Sequence, residues 1–217
     1  MGYVAVAYVA LPAWWTRFES RHPALADVPD VTHTGSGIPG DPLNVALVGT
    51  EAEVLAIFAA AKWSRAAALS VKSDLEIAAD TVLERPDPNA PVSSLYLFGR
   101  REDLAFEQPT GDDPRQRHHV RLWRAPKPDG DGRPLWLGAA IFDEQVGFSR
   151  TTGQVTHVTA PDVDAERDYL FAALAKTGQL VETLHVDEFH AAREGRNGGG
   201  DPWRSDGKLY LGVIALR

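Results

Sequence analysis

Along most of its length the chain breaks into short apolar runs set apart by Gly, Pro and Asp. LNVALVG (43–49), SLYLFGR (94–100), DLAFEQP (103–109), RHHVRLWRA (117–125), PLWLGAAIFDE (134–144), GQVTHVT (153–159), LVETLHV (180–186) and KLYLGVIAL (208–216) are such runs. Their length and their aromatic and β-branched content predict strands. The segment PKPDGDGR (126–133) joins two of them, and its two Asp-Gly pairs predict a β-hairpin.

Helical spacing shows in three places. Thr50-Glu-Ala-Glu53 is a capping box, with Val54, Leu55 and Phe58 following at helical intervals and Trp63 at the end. Ser73-Asp-Leu-Glu76 repeats the device ahead of an apolar stripe through Leu75, Ile77, Val82 and Leu83. Asp162 opens a third helix, with acids in its first turn, Tyr169, Leu170, Ala173 and Leu174 on one face, and Gly178 past its end. Hairpins mixed with helices, without a repeating β-α-β unit, predict a single α+β domain: a mostly antiparallel sheet with about three flanking helices over residues 42–217. Residues 17–41 are rich in Pro, Gly and Asp and read as a linker.

Residues 1–16 form an apolar segment of different character. MGYVAVAYVALPAWW (1–15) carries no charge and is followed by Arg17 and Arg21. As a helix it spans roughly 22 Å at about 1.5 Å per residue, short of the roughly 30 Å bilayer core. Trp14 and Trp15 sit where an interfacial belt belongs, and the arginines fit a cytoplasmic flank. Two readings stand: a membrane anchor with a cytoplasmic domain, or a segment packed on the core of a cytoplasmic protein.

The 217 residues contain no cysteine, which excludes disulfides, thiolate metal sites and a thiol nucleophile. A net charge of −8 lacks the footprint of a nucleic-acid binder. Neither G-x-S-x-G nor HExxH occurs. No motif names a metal or cofactor.

DPLNVALVGT (41–50), LYLFGRREDLAFEQP (95–109), RHHVRLWRAP (117–126), TTGQVTH (151–157), PDVDAERD (161–168) and GRNGGGD (195–201) resemble the LssY-type C-terminal domain family. The likeness runs from about Asp41 to the C-terminus and extends into HTGSGIPGDPLN. It implies a bacterial, membrane-associated context, since members occur fused to phosphatidic-acid-phosphatase-like or DedA-like membrane modules. It carries no reaction with it. No acid-phosphatase signature occurs in this chain, so that activity does not transfer.

Candidate chemistry follows from strand alternation. His118 shares a face with Val120 and Leu122 and reads as a core histidine. His119 shares the other face with Arg117, Arg121 and Trp123, where two guanidinium groups and an imidazole suit a phosphate or carboxylate. The bland alternative is an exposed polar face. His157 lies with Val155 and Thr159, just ahead of Asp162 and Asp164. A histidine near two acids suits a hard metal or a general base, although helix capping and the helix dipole explain the acids equally well.

His190 approaches Asn197, Gly198, Gly199, Gly200 and Asp201. Those glycines are not a phosphate loop, because Pro202 and a turn follow instead of a helix. They either turn a corner or let a ligand approach closely. Two functions emerge. One is a membrane-held domain binding a small anionic ligand or a partner, such as a membrane protein or lipid headgroup, through Arg117, Arg121, His190 and residues 197–201. The other is a hydrolase of phosphorylated or lipid-derived substrates built on His119, His157 and Asp164, with a metal left open. Convergence of these residues on one concave pocket favours the second.

Overall fold

A computed structural model describes residues 28–66, 94–110, 116–148 and 155–216, together with Leu25 and Arg150. Their elements run β1 (Val31–Thr34), β2 (Pro39–Pro42), β3 (Val45–Val48), α1 (Glu51–Ala60), β4 (Ser64–Arg65), β5 (Leu95–Leu97), β6 (Arg100–Arg101), β7 (Leu104–Pro109), β8 (Arg117–Arg124) and β9 (Leu135–Phe148). There follow β10 (Val155–Thr159), α2 (Val163–Lys176), β11 (Leu180–Val186), β12 (Glu194–Arg196), β13 (Pro202–Arg204) and β14 (Leu209–Ile214).

The expected α+β arrangement of one sheet with three flanking helices is not what forms. The described residues hold three sheets and two helices, with strand outweighing helix 45% to 17%. The helix expected around residues 73–83 and the apolar segment 1–16 lie outside the described residues. The additional sheets come from segments whose Gly and Pro content reads as loop. Residues 31–42 supply β1 and β2, paired antiparallel, and β1 also pairs with β5. Gly40 explains how such a sequence packs. A Cβ there would lie 2.6 Å from Thr32 Oγ1 and 2.7 Å from Leu95 Cδ2, so only a bare backbone fits. Among the described residues no helix is long and apolar enough to cross a membrane.

The large sheet has the order β11-β14-β3-β9-β8-β7-β4, with β10 added along β9. Its pairings are antiparallel except β14 with β3. The long strand β9 serves two partners in turn. β3 pairs with residues 135–138 and β10 with residues 143–148. Asn44 fills the gap between them: its amide bonds the carbonyl of Ala140 at 2.9 Å and the amide of Ala140 at 2.8 Å.

Both faces of this sheet are covered. Val54, Ile57, Phe58, Leu170 and Leu174 of the two helices pack on Val45, Leu47, Val120, Leu122 and Trp136. On the other face Leu95 and Leu97 of the small sheet β2-β1-β5-β6 meet Ala46, Val48, Trp123, Leu137 and Leu211. The helix ends are set as expected. Thr50 and Glu53 form the reciprocal capping box of α1, and the Asp162 side chain caps α2 at Ala165 N. Two-sided cover buries Asp41, His119, Arg121, Asp143 and His157, and this creates the site.

Candidate functional site

Alternation along β8 sends His118, Val120 and Leu122 toward the helices and Arg117, His119 and Arg121 toward the small sheet. Register then sets the neighbours. Arg117 lies opposite Asp143 of β9, and Asp143 lies opposite Thr159 of β10. His119 lies opposite Glu107 of β7.

Asp143 is fully buried and is the hub. Its Oδ2 accepts from Arg117 Nε at 3.0 Å and from His119 Nδ1 at 3.1 Å, and His157 Nδ1 stands 3.7 Å away. Burial alone would raise its pKa. The imidazole of His119, through charge and hydrogen bond, together with His157 and Arg117, holds it well below the usual carboxylate range. Arg117 reaches on, Nη1 donating to Glu107 Oε2 at 3.0 Å and Nη2 to His157 Nε2 at 3.1 Å. A guanidinium only donates, so His157 Nε2 is the acceptor and its proton sits on Nδ1, on the side of Asp143.

His119 is arranged differently. Its Nδ1 is given to Asp143, and its Nε2 is buried with no partner among the described residues. Asp143 Oδ1 is likewise buried and unpartnered there. Both residues line a cavity of about 30 Å3, shared with Thr34, Asp41, Leu95, Arg121, His157, Thr159, Asn197, Gly198 and Gly199. That volume accommodates a water or two, since one water needs roughly 10–15 Å3. Arg121 is ion-paired with Asp41 of β2 at 3.1 Å, both buried.

The glycine loop closes the β12–β13 hairpin over this cavity. Asn197 Oδ1 accepts from Gly199 N and Asp201 N, each at 3.0 Å, and Asn197 Nδ2 donates to Thr159 Oγ1 at 3.1 Å. Gly200 turns the corner at φ +88°, its N–H on Asn197 O. Asp201 Oδ2 accepts from Thr159 N at 3.3 Å. Gly198 permits the close approach: a Cβ there would stand 2.4 Å from Thr34 Cγ2. The glycines therefore turn a corner and, in doing so, wall the pocket.

The structure thus brings His119, His157, Arg121, Asn197, Gly198 and Gly199 to one cavity, with Arg117 behind it and Gly200 and Asp201 in its supporting loop. It does not bring Asp164 or His190. Asp164 accepts from Arg167 Nη1 at 3.0 Å, from Ser205 Oγ at 3.0 Å and from Asp206 N. Arg167, lying over the Tyr210 ring at 3.9 Å, ties α2 to the turn before β14. His190 Nε2 donates to Leu43 O at 2.6 Å, and burial lowers its pKa. His118, on the helix side, donates to Glu166 at 2.7 Å and stacks on Tyr169. Burial raises the Glu166 pKa, with His118 opposing it.

Asp143, Asp41, Glu107, Thr34 and Thr159 were not singled out from sequence. One signal was present: alternation from Leu135 puts Leu137, Ala139, Ile141 and Asp143 on one interior face, and a buried acid demands partners. Among the described residues no group of three His, Asp or Glu side chains is arranged to hold a metal ion. The Arg117 guanidinium already takes the His157 lone pair and one face of Asp143.

Fold and site define a mostly β domain enclosing a buried His–Asp–Arg cluster. The chain belongs to the LssY C-terminal domain family: the family described as LssY C-terminus matches residues 25–209. No curated protein matches the chain. No solved structure matches it either.

Proposed function

We propose that the domain is a hydrolase in which His119, oriented by Asp143, acts as general base toward water. One observation carries the reading: His119 Nδ1 is held on Asp143 while its buried Nε2, without a partner among the described residues, belongs to a side chain lining a water-sized cavity. A carboxylate that fixes the tautomer and supports the imidazolium, with the second nitrogen open, is the arrangement proton abstraction needs. Here the carboxylate is Asp143 in place of the expected Asp164. Arg117 and His157 act as positioning residues that hold the Asp143 oxygen in place. Thr159 and Asn197 define the cavity wall.

The binding-domain reading has its own support. Arg121 lines the cavity and Arg117 stands behind it, two cations beside one opening. Each is already paired with a buried carboxylate, so an anion has to compete with Asp41 or Asp143. That ranks it second. The domain's station at a cytoplasmic membrane surface is part of the same proposal, supported by the uncharged run 1–15 and by Arg17 and Arg21 after it.

The test is turnover by the full chain of carboxylate esters, phosphomonoesters and phosphodiesters, including glycerolipid-derived ones. Wild type is expected to turn over one class. His119→Asn is expected to lose at least 100-fold in kcat, within the roughly 10²–10⁴-fold range of general-base catalysis. Undiminished turnover in His119→Asn, or none by wild type on any class, contradicts the reading. Co-sedimentation of the full chain with lipid vesicles tests the membrane station.

A further inference from the structure

We infer that the group this pocket receives is a hydrogen-bond donor, a hydroxyl or primary ammonium end group, rather than an anion. The inference names the ligand chemistry of the site proposed above and rests on the same His119–Asp143 pair.

Among the cavity residues, His119 Nε2 and Asp143 Oδ1 are buried without partners among the described residues. Both are acceptors. In the neutral ring the His119 proton sits on Nδ1, given to Asp143, which leaves a lone pair on Nε2, and the low pKa of Asp143 keeps its second oxygen a carboxylate oxygen. Buried acceptors of this kind are normally satisfied. A carboxylate offers only further acceptors to them. A hydroxyl or an ammonium supplies the missing protons.

The charged donors that would welcome an anion are committed elsewhere. Arg117 bonds Asp143, Glu107 and His157, and Arg121 bonds Asp41. The amide of Gly199 is taken by Asn197 Oδ1 at 3.0 Å. The two guanidinium groups at the cavity, Arg117 and Arg121, are matched by the buried carboxylates Asp143 and Asp41. An anion entering the cavity has to displace one of those carboxylates from its cation. A cavity of about 30 Å3 admits only a small end group.

The experiment is a titration of the full chain followed by the imidazole nitrogen resonances, with His119 assigned by its loss in His119→Gln. The probes are ammonium chloride, glycerol and sodium acetate at pH 8 and matched ionic strength. Ammonium or glycerol is expected to shift the His119 Nε2 resonance saturably, leaving His118 on the opposite sheet face unmoved. Saturation by ammonium alone identifies an amine end group, and saturation by glycerol alone a hydroxyl; both uphold the inference. A saturable shift by acetate at lower concentration, or no saturable shift by any probe, overturns it. Donor binding without ester turnover sinks the hydrolase reading alone. Turnover of an ester without donor binding sinks this inference alone.

Discussion

Replacing Asp143 by asparagine keeps the shape of the hub and removes its charge. The side chain is fully buried, and one oxygen takes Arg117 Nε at 3.0 Å and His119 Nδ1 at 3.1 Å. Each bond to a charged acceptor contributes about 1.5–3 kcal/mol, against about 0.5–1.5 kcal/mol for a neutral one. The bond to His119 therefore weakens by about 1–1.5 kcal/mol, and Arg117 loses its buried counter-charge. The new amide also brings N–H groups to the side of Oδ1, which has no partner among the described residues. Asp143→Asn is expected to lose at least about 2 kcal/mol at pH 7, read from urea unfolding followed by tryptophan fluorescence. The pH dependence has a definite sign. The folded-state pKa of Asp143 is depressed, so its stabilisation is complete above the ordinary carboxylate range and is lost as pH falls through and below it. The gap between wild type and variant should narrow below about pH 4. A gap under about 0.5 kcal/mol at pH 7, the size of an ordinary surface change, or one that widens in acid, refutes the hub.

Gly198→Ala places a methyl 2.4 Å from Thr34 Cγ2 and should cost about 1–3 kcal/mol as an overpacked contact, visible as a lowered thermal midpoint; an unchanged midpoint contradicts the close approach. His190, its pKa lowered by burial, is held neutral on Leu43 O, so wild-type stability should fall as pH drops below the ordinary histidine range. His190→Gln should flatten that fall between pH 7 and 5, and an equally steep fall would remove His190 as its source. Arg167→Met leaves the partly exposed Asp164 and Asp206 without their shared guanidinium and should destabilise by about 1.5–3 kcal/mol in urea unfolding; a change under about 0.5 kcal/mol, the size of an ordinary surface change, would show that the network contributes little.

The two helices were legible because their ends are chemically marked, by Thr50 with Glu53 and by Asp162. The β8–β9 hairpin was legible from its Asp-Gly turn, through which Asp129 and Arg133 pair. β1 and β2 were not, because Pro39, Gly40 and Pro42 carry turn statistics while the third dimension needs their small backbone against Thr32 and Leu95. Alternation alone grouped Arg117, His119 and Arg121 correctly. It could not supply Asp143, whose role depends on the β8–β9 register. Asp164 was associated with His157 by nearness in sequence, yet the first turn of α2 directs it to Arg167 and the turn at Ser205. Sequence distance is a poor guide where a strand hands over to a helix on the other face of the sheet.

The proposed chemistry turns on where two histidines carry their protons. A long-range 1H–15N correlation of the full chain at pH 8 reports this directly. His119 and His157 should both carry their proton on Nδ1, with Nε2 of His119 open and Nε2 of His157 shifted by the Arg117 bond. A proton on Nε2 of His119 would leave no base facing the cavity and would rule out His119 as the general base.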